Sequence, residues 1–322
     1  MIAQLNEISN DDLNKITKQK NKAEKIKIYE KFAFDDRKMS AVKNCGSYLL
    51  FDNYINIADK KTLLKLLHFA NFCNVTKFCP MCAYRKSQKV ALELISKIST
   101  LRKQLSALKN PPQLRFVYLT LTVKNPKIED LKLTINNMTY ALKKLTLSKR
   151  FVDAVPYGYF RSIEYMGDNT VNNYAHPHYH ILLCVNQQYF AKKYISREEW
   201  ALMWQKALGV DYFPDVYVSI VKPSKKIDSG ITAACYEVAK YSVTPAILKK
   251  IDNNNFEQLY HQTKHCRQYG YGGLIKTLEP DLDELDPADW EYLQSELYKY
   301  FVAEKSYKQT TAFQTDEHIL NN

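Results

Sequence analysis

Cysteine is the residue that most limits how this chain can fold. Cys73, Cys79 and Cys82 fall within ten residues, in Phe72-Cys-Asn-Val-Thr-Lys-Phe-Cys-Pro-Met-Cys-Ala-Tyr-Arg-Lys, and Cys45 stands earlier in Asn44-Cys-Gly-Ser-Tyr. One CxxC and two satellites supply four thiolates, the full shell of a tetrahedral zinc ion, with the tight CPMC turn giving two ligands and distant chain the other two. The alternative is a redox pair at CPMC with Cys45 and Cys73 as small buried hydrophobes. A thioredoxin-like pair follows a strand and opens a helix, whereas Lys65-Leu-Leu-His-Phe-Ala-Asn-Phe reads as helical, and this favours Zn²⁺. Seven cysteines, an odd count without a leader pattern, argue against a secreted disulfide framework. Cys184, Cys235 and Cys266 read as ordinary buried thiols.

Charge narrows the function. The 322 residues carry 46 Lys+Arg against 34 Asp+Glu, a formal +12. Residues 277–322 hold 11 acidic residues and 3 lysines, a net −8, so residues 1–276 carry +20. Such a segment either binds a polyanion or simply has a solvated basic surface. The 24 tyrosines outnumber the 14 phenylalanines, and basic residues interleaved with aromatics suit single-stranded bases beside phosphates. No apolar run approaches the roughly 18 residues of a membrane span, and Met1-Ile-Ala-Gln-Leu-Asn-Glu has no signal pattern, so a soluble, cytoplasmic protein is expected.

Residues 1–35 read as a basic, helical or partly disordered arm. Val90, Leu94, Ile98, Leu101 and Leu105 recur at three- and four-residue steps, predicting a helix that Pro111-Pro112 terminates. Alternation predicts strands at 115–124, 157–165 and 178–185 and a short one at 215–221, with helices at 128–148, 196–208 and 231–250. The order β-α-β-β-α-β-α predicts an α+β fold, an antiparallel sheet backed by helices.

Two residues apart on a strand, His178 and His180 share a face, while Tyr179 and Ile181 point to the other. If 157–165 pairs with this strand, Glu164 arrives beside them as a third metal ligand. The alternative is one satisfied strand histidine and one solvated one. His176 has the same parity, but Pro177 intervenes. Glu237 and Tyr241, four apart in Ala234-Cys-Tyr-Glu-Val-Ala-Lys-Tyr-Ser-Val-Thr, share a helical face beside Lys240. Alone they read as a surface pair. A nearby metal would change that, since a phenol is a poor nucleophile until the phosphate it attacks is polarised.

These segments, in order, resemble the three motifs of rolling-circle plasmid replication initiators of the HUH endonuclease superfamily. Phe116-Val-Tyr-Leu-Thr-Leu-Thr-Val-Lys-Asn is similar to the first, His176-Pro-His-Tyr-His-Ile-Leu-Leu to the metal-binding second, and Tyr236-Glu-Val-Ala-Lys-Tyr-Ser-Val to the nucleophile-bearing third. The cysteine region also resembles the one ahead of their nuclease domain, and the likeness covers roughly residues 40–275. It implies a site-specific nick in single-stranded or extruded origin DNA. Tyr241 becomes joined to the 5′ end and leaves a 3′-OH that primes a host polymerase. His178 and His180 hold Mg²⁺ or Mn²⁺, and Glu237 activates water to end replication. Tyr236 is a departure, a second tyrosine that points elsewhere on the helix.

The expected organisation is a basic arm (1–35), a cysteine-rich zinc module with its helix (36–110), an HUH nicking and joining domain (111–275) and an acidic C-terminal region (276–322). A single-tyrosine transposase or relaxase and a non-catalytic zinc-containing DNA-binding regulator are the rival readings. No GxxxxGK[ST] loop occurs, so unwinding is assigned to a host helicase.

Overall fold

The computed structural model describes residues 10–167, 173–221, 229–240, 242–280 and 286–310. The chain divides into two compact units, one formed by residues 1–86 with 282–322 and the other by residues 87–281. No helix among the described residues is long and apolar enough to cross a membrane.

The first unit opens with α1 (Asn10–Ile26) and α2 (Asp36–Lys43), followed by β1 (Tyr48–Asn56) and β2 (Leu63–Ala70). Within the segment read as a basic, helical or partly disordered arm, residues 10–26 form α1, with Ile16, Lys20 and Ala23 buried. Segment 65–72, read as helical, supplies β2 instead. Its leucines fit either period, and pairing with β1 decides: Lys65 stands opposite Asn53 and Leu67 opposite Phe51, with an irregularity between Leu50 and Phe51. CPMC therefore does follow a strand and open a helix, so the helical reading no longer separates a zinc site from a redox pair.

Helix α3 (Pro80–Ser106) starts at that motif and runs into the second unit, which continues with β3 (Leu114–Thr122), α4 (Leu131–Leu147), α5 (Lys149–Ala154), β4 (Tyr159–Glu164) and β5 (His178–Asn186). Then come α6 (Gln187–Ala191), α7 (Arg197–Leu208), β6 (Val216–Ile220), α8 (Ser229–Val238), α9 (Pro245–Lys250), α10 (Asn253–Thr263), β7 (Tyr269–Gly272) and α11 (Leu274–Thr277). The helix expected over 231–250 is two helices. Pro245 drives Thr244 into extended backbone (ψ 150°), and the Thr244 hydroxyl caps α9 by accepting from the Ile247 amide.

The five strands of this unit form an antiparallel sheet in the order β6-β3-β5-β4-β7, with helices on both faces. On one face Phe116, Phe160, Leu182 and Cys184 pack with Val90, Leu94, Ile98 and Leu101 of α3 and with Cys235 and Val238 of α8. On the other, the Tyr179 hydroxyl meets Thr139 of α4 at 3.0 Å. Edge strand β7, missed from sequence, packs tightly because Gly158 (φ +86°) leaves room for the Gly272 carbonyl, where any side chain would collide.

The acidic C-terminal region is not a separate solvated tail throughout. β8 (Trp290–Phe301) and β9 (Ser306–Thr310) complete the first unit's sheet, in the order β2-β1-β8-β9.

Phe160 is fully buried at the centre of the α3–sheet–α8 core. Phe160→Ala should cost about 3–5 kcal/mol of stability, read as a lowered midpoint in urea unfolding.

Candidate functional site

Strand β5 places the histidines. Its alternation buries Tyr179 and Ile181 completely on one face and turns His178 and His180 to the face shared with Phe116 and Leu182. On β4, Glu164 stands directly opposite His178, and on β3, Thr120 stands opposite His180. That face is therefore half core and half site. Leu182, Phe160 and Cys184 lie under α3 and α8, and two residues farther along each strand the polar groups begin.

The three expected ligands converge. His178 Nε2 lies 3.0 Å from His180 Nε2, and Glu164 Oε2 lies 3.3 Å from the first nitrogen and 3.2 Å from the second. Neighbouring ligands of an octahedral cation at 2.0–2.1 Å stand about 3 Å apart, so two imidazoles and a carboxylate match a divalent ion in chemistry and spacing. The ring of His178 is oriented for it, because its Nδ1 donates to the His176 carbonyl at 2.9 Å and its Nε2 is thereby turned toward His180 and Glu164. The Nδ1 of His180 faces the Thr120 hydroxyl at 3.5 Å.

Burial pushes the Glu164 carboxyl up, but hydrogen bonds from both histidines and their positive charge outweigh it and hold the pKa at about 2. His176 stays out of the triad. It hydrogen-bonds Asn125 at 2.7 Å, and burial together with the charge of His178 lowers its pKa.

The third motif lies beside this centre. Tyr241 itself is outside the described residues. Its neighbours are fixed by two contacts: the Ser242 carbonyl accepts from the amide of Tyr165, the residue after Glu164, at 2.9 Å, and the Tyr269 hydroxyl donates to the carbonyls of Ala239 (3.0 Å) and Lys240 (3.3 Å). Helix α8, which carries Glu237, ends at Val238, and the expected sharing of one helical face by Glu237 and Tyr241 lies outside the described residues. Glu237 is exposed and ion-paired with Lys240. Tyr236 is partly buried and packs against the core.

Tyr118, which sequence reasoning passed over, belongs to the same surroundings. Its ring lies 5.7 Å from that of His180, and burial with the nearby charges of Glu237 and Glu164 raises its pKa. Its parity with Thr120 in the first motif was the available signal.

In the first unit all four cysteines meet. Cys45 Sγ and Cys73 Sγ each lie 3.6 Å from Cys82 Sγ, and Cys79 Sγ lies 3.6 Å from Cys45 Sγ. A tetrahedron of thiolates with metal–sulfur bonds of 2.3 Å has edges of about 3.8 Å, so a single cation fits between them. A redox pair would need only two of the four, and the convergence of the other two is what tells the sites apart.

A protein family described as replication protein matches residues 64–318, a stretch that holds all three motifs, three of the four clustered cysteines and the β8–β9 hairpin. The chain belongs to this family of rolling-circle plasmid replication initiators. A relative named Protein rep from Streptococcus pneumoniae serotype 2 (strain D39 / NCTC 7466) is 33% identical over 258 residues, 79% of this chain and 75% of that one. Another Protein rep, from Lactiplantibacillus plantarum, is 32% identical over 291 residues, 87% of each chain, and one from Staphylococcus aureus is 31% identical over 233 residues, 72% and 93%. No solved structure matches. The basic excess of this replication protein is concentrated where the histidines are: residues 87–281 hold 27 Lys+Arg and 16 Asp+Glu, against 19 and 18 for the other unit.

The depressed carboxyl gives a pH signature in metal-free protein. Glu164 contributes its full stabilisation above its ordinary pKa of 4.5 and loses it as pH falls from there through about 2. Urea midpoints measured across that window should fall less for Glu164→Gln than for the wild type.

Proposed function

We propose that this initiator nicks single-stranded or extruded origin DNA by transesterification at Tyr241, as an HUH-type endonuclease. The observation that carries the reading is the convergence of Glu164, His178 and His180 next to a chain segment whose Ser242 carbonyl is bonded to Tyr165. The phenolic oxygen of Tyr241 attacks the scissile phosphorus and its proton passes to solvent. The bond from phosphorus to the 3′ oxygen breaks, that oxygen takes up a proton to become the primer 3′-OH, and the 5′ phosphate remains esterified to Tyr241. A Mg²⁺ or Mn²⁺ ion held by the two imidazoles and the carboxylate would offset charge on the phosphate oxygens. Lys240, beside the nucleophile, adds a cation for the DNA backbone. Primer extension and unwinding then fall to a host polymerase and helicase in the cytoplasm.

Tyr241→Phe removes only the nucleophilic oxygen. It should abolish nicking and the covalent adduct on an origin oligonucleotide while leaving binding within a few-fold. An adduct mapped to Tyr236 or Tyr118 would overturn the assignment. The rival reading as a non-catalytic DNA-binding regulator forms no adduct at all, and a transposase or relaxase fits less well in a chain matched along most of its length by replication proteins.

Initiation and termination need two strand cleavages, and one tyrosine can perform only one while it stays esterified. Glu237, exposed at the end of α8, is the group that takes a proton from water in the second. Glu237→Ala should nick and form the Tyr241 adduct at near wild-type rate but accumulate unresolved product in a replication assay. Normal termination by the variant would reduce Glu237 to the partner of Lys240.

The cysteine cluster is assigned one structural Zn²⁺, supported by the four-way sulfur spacing. Protein purified without chelator should carry about one zinc per chain by elemental analysis. Cys79→Ser should lose it and lower the thermal midpoint, because metal-binding energy is folding energy here.

A further inference from the structure

The sheet of the first unit buries one face around the cysteines and leaves the other partly exposed apart from Asp52 and Leu64. Its inner strand β1 shows the asymmetry directly: Leu49 and Phe51 are fully buried among Ile16 and the cysteines, whereas Tyr48, Leu50 and Tyr54 remain partly exposed. Register sorts the side chains. Tyr48 pairs with Lys299, Leu50 with Leu297, Asp52 with Ser295, Tyr54 with Tyr292 and Asn56 with Trp290. These residues share the uncovered face, and ring contacts agree: Tyr54 meets Tyr292 edge-on at 5.8 Å, and the Lys299 ammonium sits 5.5 Å from the Tyr48 ring. Phe301 follows two residues on, 38% exposed, with the Lys308 ammonium 5.8 Å from its ring and ion-paired with Glu304 at 2.5 Å, and Tyr292 is 53% exposed.

Charge is sorted the same way. On β8, Glu296 points to the covered face, where it binds Lys65, while Lys299 points to the uncovered one. The one acid of β1 on the uncovered face, Asp52, is buried, and its two oxygens are taken by His68 Nδ1 at 2.6 Å and the Ser295 hydroxyl at 2.5 Å. A hydrophobic protein partner would not need the lysines, and a duplex groove would not use flat rings on an open sheet. Aromatic rings interleaved with ammonium groups are the surface that stacks unpaired bases and contacts the phosphates between them.

We propose that this face, formed by β1, β8 and β9, binds single-stranded DNA by stacking bases on Tyr54, Trp290, Tyr292 and Phe301, with Lys299 on the backbone. This rests on the reading of the protein as acting on single-stranded origin DNA, and it adds a binding surface in the unit that lacks the histidine centre.

The test uses the full chain and a fluorescein-labelled 20-nucleotide oligothymidine in EDTA, so that binding is measured without cleavage. The Tyr292→Ala/Phe301→Ala protein should bind about tenfold or more weakly by anisotropy, and Lys299→Glu, a surface change with little risk to folding, should also weaken binding. Trp200 and Trp204 are fully buried, so quenching on DNA addition should come from Trp290 and vanish in Trp290→Phe. Affinities within twofold of wild type, an absence of quenching, or a double variant that binds DNA normally but loses self-association in sedimentation would each overturn the proposal. If Tyr241→Phe still nicked, the catalytic assignment would fall while the binding result stood.

Discussion

The register of β5 between β3 and β4 is the constraint on which the rest of this protein depends. Nine residues pair with β3 and six of them, His178 to Leu183, also with β4, so the side chains at the site end of β5 are committed to one face by two ladders. A slip of one residue would turn His178 and His180 into the layer that Tyr179 and Ile181 now fill, and would bring those two to the site. Helices occupy both faces, so such a slip would bury two imidazoles without partners. The same registry sets Glu164 opposite His178. A metal-compatible triad thus follows from the packing of a hydrophobic strand, with no loop needed to deliver its ligands.

Around that strand the chain keeps stabilisation and chemistry apart along its length. The ends of β3, β4 and β5 that carry Phe116, Phe160 and Cys184 are capped by α3 and α8 and hold the sheet together. The opposite ends carry Thr120, Glu164 and the histidines. Helix α8 joins the two regions, since Cys235 and Val238 anchor it in the core while the chain just beyond it is tied to Tyr165 and Tyr269. The chain on both sides of residue 241 is thereby held through its backbone carbonyls, Ala239 and Lys240 by Tyr269 and Ser242 by Tyr165. The first unit is organised differently, with four thiols from two separate stretches gathered under a sheet that needs the C-terminal hairpin to complete it.

Much of this was legible in the sequence. The strand at 178–186, the pairing that brings in Glu164 and the amphipathic helix ending before Pro111 all rest on local alternation or periodicity, which a well-packed fold obeys. The four-cysteine group was legible from spacing alone. Segment 65–72 was not, because Leu-Leu-Lys-Leu-Leu-His satisfies the helical and the strand period equally, and only the partner strand β1 chooses between them. The break between α8 and α9 was signalled by Pro245 but overridden by the apolar pattern on either side.

Residue chemistry by itself determined which groups are present: two histidines at strand spacing, a carboxylate on the preceding strand, four thiols and a motif order that identifies the replication family. Tertiary structure decided what those groups share. It ended helix α8 at Val238, left Tyr236 against the core and brought Tyr118 beside His180. It also sorted the acidic C-terminal sequence, pairing Glu296 with Lys65 on the covered face and leaving rings and lysines on the other. Net charge is a sum over residues and carries no direction, whereas a strand assigns each side chain to a face. Only the register of β8 on β1 could bring Lys299 and the rings of Tyr48, Tyr54 and Tyr292 to one face of a sheet that an acidic segment completes.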